Sequence, residues 1–222
     1  MSSLRFLGLG AALLVAAACT QGSASARDEN ARRVAETGLY GQSLDSALVI
    51  PSVSLADLDG NSIDLAEQSR GKLTLLFFGY THCPDVCPVH MTNIAAAMRT
   101  LSWAQRDSMR VVFVTTDPER DTPDRLRSWL GSIDSSFVGL RGTQAAIDSA
   151  QRALGLPEAM RLPGAHPGDY QVGHAGQVLA VFADGRARYA YPFGTRQAEF
   201  AHDLPRLVGA SAAAVSSDTE DR

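Results

Sequence analysis

The spacing of apolar positions changes several times along the chain, and each change predicts an element. Val53-Ser-Leu-Ala-Asp-Leu-Asp59 alternates with period two into Gly60-Asn61, and Ser62-Ile-Asp-Leu65 alternates beyond it, predicting a β-hairpin with half-buried arms. Leu73-Thr-Leu-Leu-Phe-Phe78 is a continuous apolar run ending at Gly79, the pattern of a central strand covered on both faces. From Pro88 onward Met91, Ile94, Ala95, Met98 and Leu101 recur at helical spacing, so a helix begins right after Cys87. Val111–Thr115 reads as a second buried strand, and Thr122-Pro123 followed by Leu126, Trp129, Leu130 and Gly131 as a capped helix. Phe137–Leu140 predicts a third short strand. Thr143 caps a helix carrying Ile147, Ala150 and Leu154 and ending at Gly155. A loop rich in proline and glycine follows, holding Pro157, Pro163, Gly164, Pro167 and Gly168. Gln177–Phe182 and Ala187–Tyr191, turning at Asp184-Gly185, predict a closing antiparallel hairpin, and Thr195–Val208 a last helix bent at Pro205. Strands and helices alternating before a terminal hairpin predict an α/β fold with a mixed central sheet flanked by helices and an N-terminal β-hairpin.

The ends of the chain read differently. Arg5, an apolar stretch from Phe6 to Val15 and the small residues Ala16-Ala17-Ala18 before Cys19 predict a secretory signal over 1–18, with a bacterial lipobox that would lipidate Cys19. The apolar run is shorter than the ~20 residues a membrane span needs. Residues 19–49 read as tether and lead-in, 50–209 as the folded domain and 210–222 as a flexible tail. The expected address is the bacterial cell envelope, with a lipid anchor to a membrane and the domain facing the periplasm or extracytoplasmic space.

Composition narrows the function classes. Apolar residues make up 45% and charged residues 20% of the 222, a balance that excludes a disordered chain and a multi-span membrane protein. A net charge of −4 and the absence of a basic run argue against a nucleic-acid partner. Lys72, the single lysine, is followed by Leu73, so the Gly-Lys-Ser/Thr core of a phosphate loop is missing. Three cysteines, Cys19, Cys83 and Cys87, are too few for a disulfide scaffold or a four-thiolate zinc site.

Chemistry is expected beyond the carboxyl ends of the parallel strands, where Cys83/Cys87 and Asp117 fall. If the strand after His174 runs antiparallel to the central ones, its start lies at that same end and His174 faces the thiols. Cys83 and Cys87 are four apart, so both sulfurs project to one side if the second lies in the first helical turn. Such a pair can close reversibly to a disulfide or bind a soft metal, and the spacing does not choose. The helix N-terminus favours thiolate there, while Asp85 works against it. With His174 added, two thiolates and one nitrogen suit copper as Cu(I) and as Cu(II), whereas zinc wants a fourth ligand.

At these residues the sequence resembles the Sco/SenC family of copper-binding, thioredoxin-like assembly factors for cytochrome c oxidase. Three motifs carry the likeness: Phe77-Phe-Gly-Tyr-Thr-His-Cys83-Pro-Asp-Val-Cys87-Pro, Thr116-Asp117-Pro-Glu-Arg-Asp121-Thr-Pro123 and Asp169-Tyr170-Gln-Val-Gly-His174. The resemblance runs through about residues 50–208 and implies Cys83, Cys87 and His174 as copper ligands, Asp117 as a supporting residue, and the CuA centre of oxidase subunit II as copper acceptor. The sequence departs from the family pattern at Gly173, where aspartate is usual, and at Val89-His90-Met91, where an acidic or longer stretch is common. His90 and Met91 are thereby candidate extra donors, although helical position reads His90 as solvated and Met91 as core. His82 reads as a loop-shaping residue, His166 and His202 as surface residues, and Arg120 and Asp121 as a local pair bracing their loop. Asp117 could also be a turn former bonded to its own backbone.

The leading expectation is a membrane-tethered copper chaperone, monomeric and docking transiently on its acceptor. The alternative is a thiol-disulfide oxidoreductase in which Cys83 attacks and Cys87 resolves, reducing the acceptor's cysteines before metal loading. The wider CxxxC, and His174 where redox relatives carry a cis-proline, favour metal. A thioredoxin-like peroxidase, which would not require His174, is the third reading.

Overall fold

Seven consecutive buried residues, Leu73–Gly79, form a middle strand of a six-stranded mixed sheet in the computed structural model, which describes residues 29–164, 166 and 169–220. The chain divides into two units, Met1–Tyr40 and Gly41–Arg222. In the first, a helix (α1) covers 29–37. The second contains β1 (Gln42–Val49), β2 (Ser54–Ala56), β3 (Ser62–Asp64), α2 (Leu65–Gln68), β4 (Leu73–Gly79), α3 (Val86–Met98), α4 (Trp103–Asp107), β5 (Met109–Thr115), α5 (Pro123–Ile133), β6 (Val138–Leu140), α6 (Gln144–Ala153), β7 (Met160–Pro163), β8 (Tyr170–Gly173), β9 (Val178–Val181), β10 (Arg186–Tyr191) and α7 (Gln197–Glu220). The signal peptide read over 1–18, Cys19 and the tether as far as residue 28 lie outside the described residues.

Strand order is β1-β10-β9-β4-β5-β6. β4, β5 and β6 run parallel, with Leu73 opposite Met109 and Gly79 opposite Thr115, while β9 pairs antiparallel to β4. The α/β expectation with a mixed sheet thus holds. Because side chains alternate along a strand, β4 divides its apolar residues between two cores. Leu76 and Phe78 join Val112, Val114, Leu140 and Leu179 against Ile147 and Ala150 of α6 and Leu154 just past its end. On the opposite face Phe77 meets His90 of α3, Phe113 meets Trp129 of α5, and Tyr191 meets Phe200 of α7, at ring separations of 5.5, 5.2 and 4.8 Å.

The predicted hairpin forms as β2–β3, with Leu55 opposite Ile63. Three elements differ from the sequence reading. β1, read as lead-in, is an edge strand paired to β10; it is largely exposed and bulged between Ser43 and Leu48, so it carries no period-two signal. The proline-rich loop holds the β7–β8 hairpin, whose β7 residues are all exposed and therefore lack a hydrophobic signature. α7 continues to Glu220 through the stretch read as a flexible tail, and within it buried Ser211 accepts a hydrogen bond from the Ala183 amide at 2.8 Å. The β7–β8 hairpin matters for chemistry, because its last residue, Gly173, hands the chain to His174.

Candidate metal centre

β4 ends at Gly79, and the chain turns through Tyr80–Asp85 into α3. A side chain at 79 has no room: an added Cβ would lie 2.8 Å from Cys87 Sγ and 2.6 Å from the Phe77 ring. Cys87, the second residue of α3, is buried, and Cys83 is half-buried in the turn before it. Asp85 precedes α3 but makes no side-chain cap. Cys83 Sγ instead accepts the Cys87 amide at 3.4 Å, so a sulfur takes one of the helix's free N–H groups. The hydrogen bond from the Cys87 thiol is the chief reason the Cys83 thiol is lowered to about 3, helped by the Cys87 and Asp85 amides against the cost of burial. Burial pushes Cys87 the other way, and the Cys83 sulfur beside it adds to the rise. One sulfur is therefore a thiolate at neutral pH and its neighbour a thiol.

His174 arrives from across the sheet. Because β9 runs antiparallel to β4, the turn preceding it lies over the end of β4, and His174 Nε2 stands 3.4 Å from Cys87 Sγ across 87 residues of sequence. Its Nδ1 lies 2.9 Å from the Ala175 carbonyl, which can only accept, so the proton sits on Nδ1 and the Nε2 lone pair faces the sulfurs. The backbone thus fixes the tautomer at a site where Gly173 offers no carboxylate. Edge-on contacts to Phe77 and Tyr80, at 5.8 and 5.6 Å, hold the ring plane.

The donor atoms of Cys83, Cys87 and His174 all lie within 4.8 Å of one another, a group among the described residues that could hold a metal ion. With metal–sulfur and metal–nitrogen bonds of about 2.3 and 2.0 Å, an ion with three donors holds them roughly 3.7–4.0 Å apart, so a closure of at most about 1 Å suffices. Two soft sulfurs and one imidazole match copper, and the half-exposed Cys83 leaves an approach for an incoming ligand.

The turn before Cys83 is anchored by Asp121. Its fully buried carboxylate accepts from the Thr81 amide at 3.0 Å and from the Thr81 and Thr115 hydroxyls, each at 2.6 Å. The expected Arg120–Asp121 pair is not formed: Arg120 Nε donates to buried Asp117 instead. Asp117 also accepts from the Tyr170 hydroxyl at 2.8 Å, so its carboxylate binds side chains and the turn-former reading does not hold. Arg120 stacks on Tyr170, 3.5 Å from the ring centroid, and reaches Tyr80 at 5.8 Å. Asp117 is therefore connected to His174 through Arg120 and Tyr80, outside the cluster of three donors.

Other histidines sort out by environment. His90, read as solvated, is fully buried, with Nε2 3.0 Å from the Gly176 carbonyl; the sequence did carry a signal, since position 90 lies three after Cys87 and four before Ile94 on the buried stripe. Met91 is core, as expected. His82 stays partly exposed beside Thr81 and Asp121, His166 is exposed, and half-buried His202 pairs with Asp203 at 2.8 Å.

The thiol asymmetry has a measurable consequence. An ordinary thiol loses about tenfold in alkylation rate for each pH unit below its pKa, because only thiolate reacts. Cys83, lowered to about 3, remains thiolate as pH falls. Iodoacetamide should label Cys83 of the reduced protein with less than about threefold change between pH 8 and 5 while Cys87 stays protected, as read by peptide mass spectrometry. A rate falling about tenfold per unit over that range would contradict the assignment.

Comparison with known proteins agrees with this geometry. The family model described as SCO1/SenC matches residues 42–209. A protein of Stutzerimonas stutzeri whose name marks it as copper-binding is 34% identical over 79% of this chain and 83% of its own. Protein sco1 of Schizosaccharomyces pombe is 29% identical over 70% of this chain, which spans 58% of that relative's length. The solved structure of Bradyrhizobium japonicum ScoI with copper bound is 33% identical, with a TM-score of 0.63, covering 72% of this chain and 99% of its own. Its likeness makes the mixed sheet a thioredoxin-like fold of the Sco type. With the motif-bearing turns, the sheet and the full matched span in agreement, the chain belongs to the SCO1/SenC family.

Proposed function

We propose that this protein is a copper chaperone of the bacterial envelope, which holds one copper through Cys83, Cys87 and His174 and delivers it to the CuA site of cytochrome c oxidase subunit II. The observation that carries the reading is the convergence of two sulfurs and an imidazole lone pair from distant parts of the chain, within 4.8 Å of one another. Copper in the Bradyrhizobium relative and the description of the Sco family as cytochrome c oxidase assembly proteins support the cargo and the destination. Cys83 and Cys87 would hold the copper as thiolates, the Cys87 proton being released to water when the metal binds, and His174 would supply Nε2. Asp117 supports the site by bracing Arg120 against the two tyrosines. Exposed Phe193 beside Gly176 and exposed Leu162 beside Gly173 give apolar surface next to the turn carrying His174, on which an acceptor can dock transiently.

No helix among the described residues is long and apolar enough to cross a membrane. Lipidation of Cys19, with the residues before the sheet as tether, supplies the membrane attachment in this reading.

A second reading is favoured by the thiol asymmetry. A low-pKa Cys83 beside a buried Cys87 can attack an acceptor disulfide and then resolve the mixed disulfide, so that this dithiol is oxidised as the acceptor's cysteines are reduced.

Titration of the reduced protein with Cu(I) against a chromophoric chelator, followed by mixing with the apo CuA domain of an oxidase subunit II, tests both. The chaperone reading expects one tightly held copper per chain that is then recovered on the acceptor, as read by metal analysis after the two proteins are separated. Weak binding, together with reduction of a disulfide-form acceptor, would replace it with the oxidoreductase.

A further inference from the structure

His90 lies one turn past Cys87 on α3, fully buried, and uses one of its two ring nitrogens. Nε2 is 3.0 Å from the Gly176 carbonyl, which can only accept, so the ring proton is on Nε2. Burial holds the imidazole below the ordinary histidine range, and Nδ1 has no hydrogen-bond partner. A buried, unpartnered ring nitrogen is a cost that leucine would avoid, so packing alone does not account for histidine here.

The place where the N–H is delivered gives the reason. Gly176 belongs to residues 174–177, the turn between β8 and β9, which has no strand pairing. Within it the Ala175 carbonyl takes the proton of His174 Nδ1. The Gly176 carbonyl is the point at which α3, the helix carrying Cys87, grips the same turn. The His90 ring is itself fixed edge-on or tilted against Phe77, Phe193 and Phe200, at 5.5, 6.0 and 6.2 Å. Phe77 also contacts His174 at 5.8 Å, so one phenyl ring packs against both imidazoles.

We infer that His90 is a positioning residue of the metal site: its Nε2–H clamps the turn carrying His174 to the cysteine helix and sets the gap between Cys87 Sγ and His174 Nε2. Its functional meaning rests on the copper reading above, whereas its geometric content concerns the protein before metal arrives.

The test compares His90→Leu and His90→Met, which keep bulk and lose the N–H, with His90→Gln, whose amide can reach the same carbonyl. Each is made in the full chain, with and without His174→Ala. In the apolar variants the metal-free protein still melts cooperatively, but the ¹⁵N imidazole signals of His174 leave the Nδ1–H pattern for a mixture of tautomers. Cu(I) affinity falls about three- to fivefold, within what a lost hydrogen bond supports and less than the loss of His174 itself, and the thiolate-to-Cu(II) absorption bands shift. His90→Gln restores the wild-type signals. In the His174→Ala background the same substitutions change Cu(I) affinity by less than about twofold, because the residue they act through is gone. Equal losses in both backgrounds, or His174 signals indifferent to His90, would overturn the inference. So would collapse of both apolar variants with only folding rescued by glutamine. If wild type binds no copper while its His174 signals depend on His90, the positioning role stands and the copper reading fails.

Discussion

Replacing Cys87 with serine lowers Cu(I) affinity by about 10²–10³-fold, the largest loss expected from any single substitution at the site. Structural metal sites of four ligands are worth about 10–16 kcal/mol at neutral pH, so one ligand accounts for roughly 2.5–4 kcal/mol. A hydroxyl is a hard, neutral donor in place of a soft thiolate, and burial of Cys87 denies the vacancy easy rescue by water. His174→Ala behaves differently. Two thiolates still satisfy Cu(I), so its loss there is smaller, about tenfold, while Cu(II), which prefers nitrogen, is lost almost entirely. Chelator competition for Cu(I) and absorption spectra for Cu(II) read the two separately. Equal effects of Cys87→Ser and His174→Ala on Cu(I) would show that the three donors do not divide their work in this way.

Asp121→Ala destabilises the domain by about 3 kcal/mol and lowers the melting temperature by about 10 °C. The carboxylate accepts three hydrogen bonds in a fully buried place, two from Thr81 and one from Thr115. Deleting it strands those donors, each at about 1 kcal/mol or more, against which the relief of burying one charge is partial. Thr81 stands two residues before Cys83, so the damage reaches the metal site: Cu(I) affinity falls even at temperatures where the variant is folded. Thermal melts and chelator competition at 10 °C test this. Destabilisation with unchanged Cu(I) affinity would confine Asp121 to the fold, and no change in melting would refute its anchoring role.

Much of this was legible in the sequence. Leu73–Phe78 and Val111–Thr115 announce buried strands because burial on both faces requires an unbroken apolar run, and the helices announce themselves by caps and periodicity. The convergence of Cys83, Cys87 and His174 follows from strand direction, since a strand antiparallel to β4 starts where β4 ends. Where exposure weakens the pattern, the reading failed: β1 and β7 are edge strands held by backbone pairing, which leaves little trace in side-chain type.

The sequence by itself determined the buried central strands and the capped helices, and singled out Cys83, Cys87 and His174 as candidate donors, because those follow from local spacing and side-chain chemistry. Only the tertiary structure decided that Arg120 joins Asp117 and leaves Asp121 to Thr81 and Thr115. It also decided that the Ala175 carbonyl sets the tautomer of His174, and that His90 points inward to Gly176. The physical reason is common to these: a polar group's role depends on which of several partners burial leaves within about 3 Å, and the packing of whole elements makes that choice both among sequence neighbours and for the partners 40 and 86 residues away.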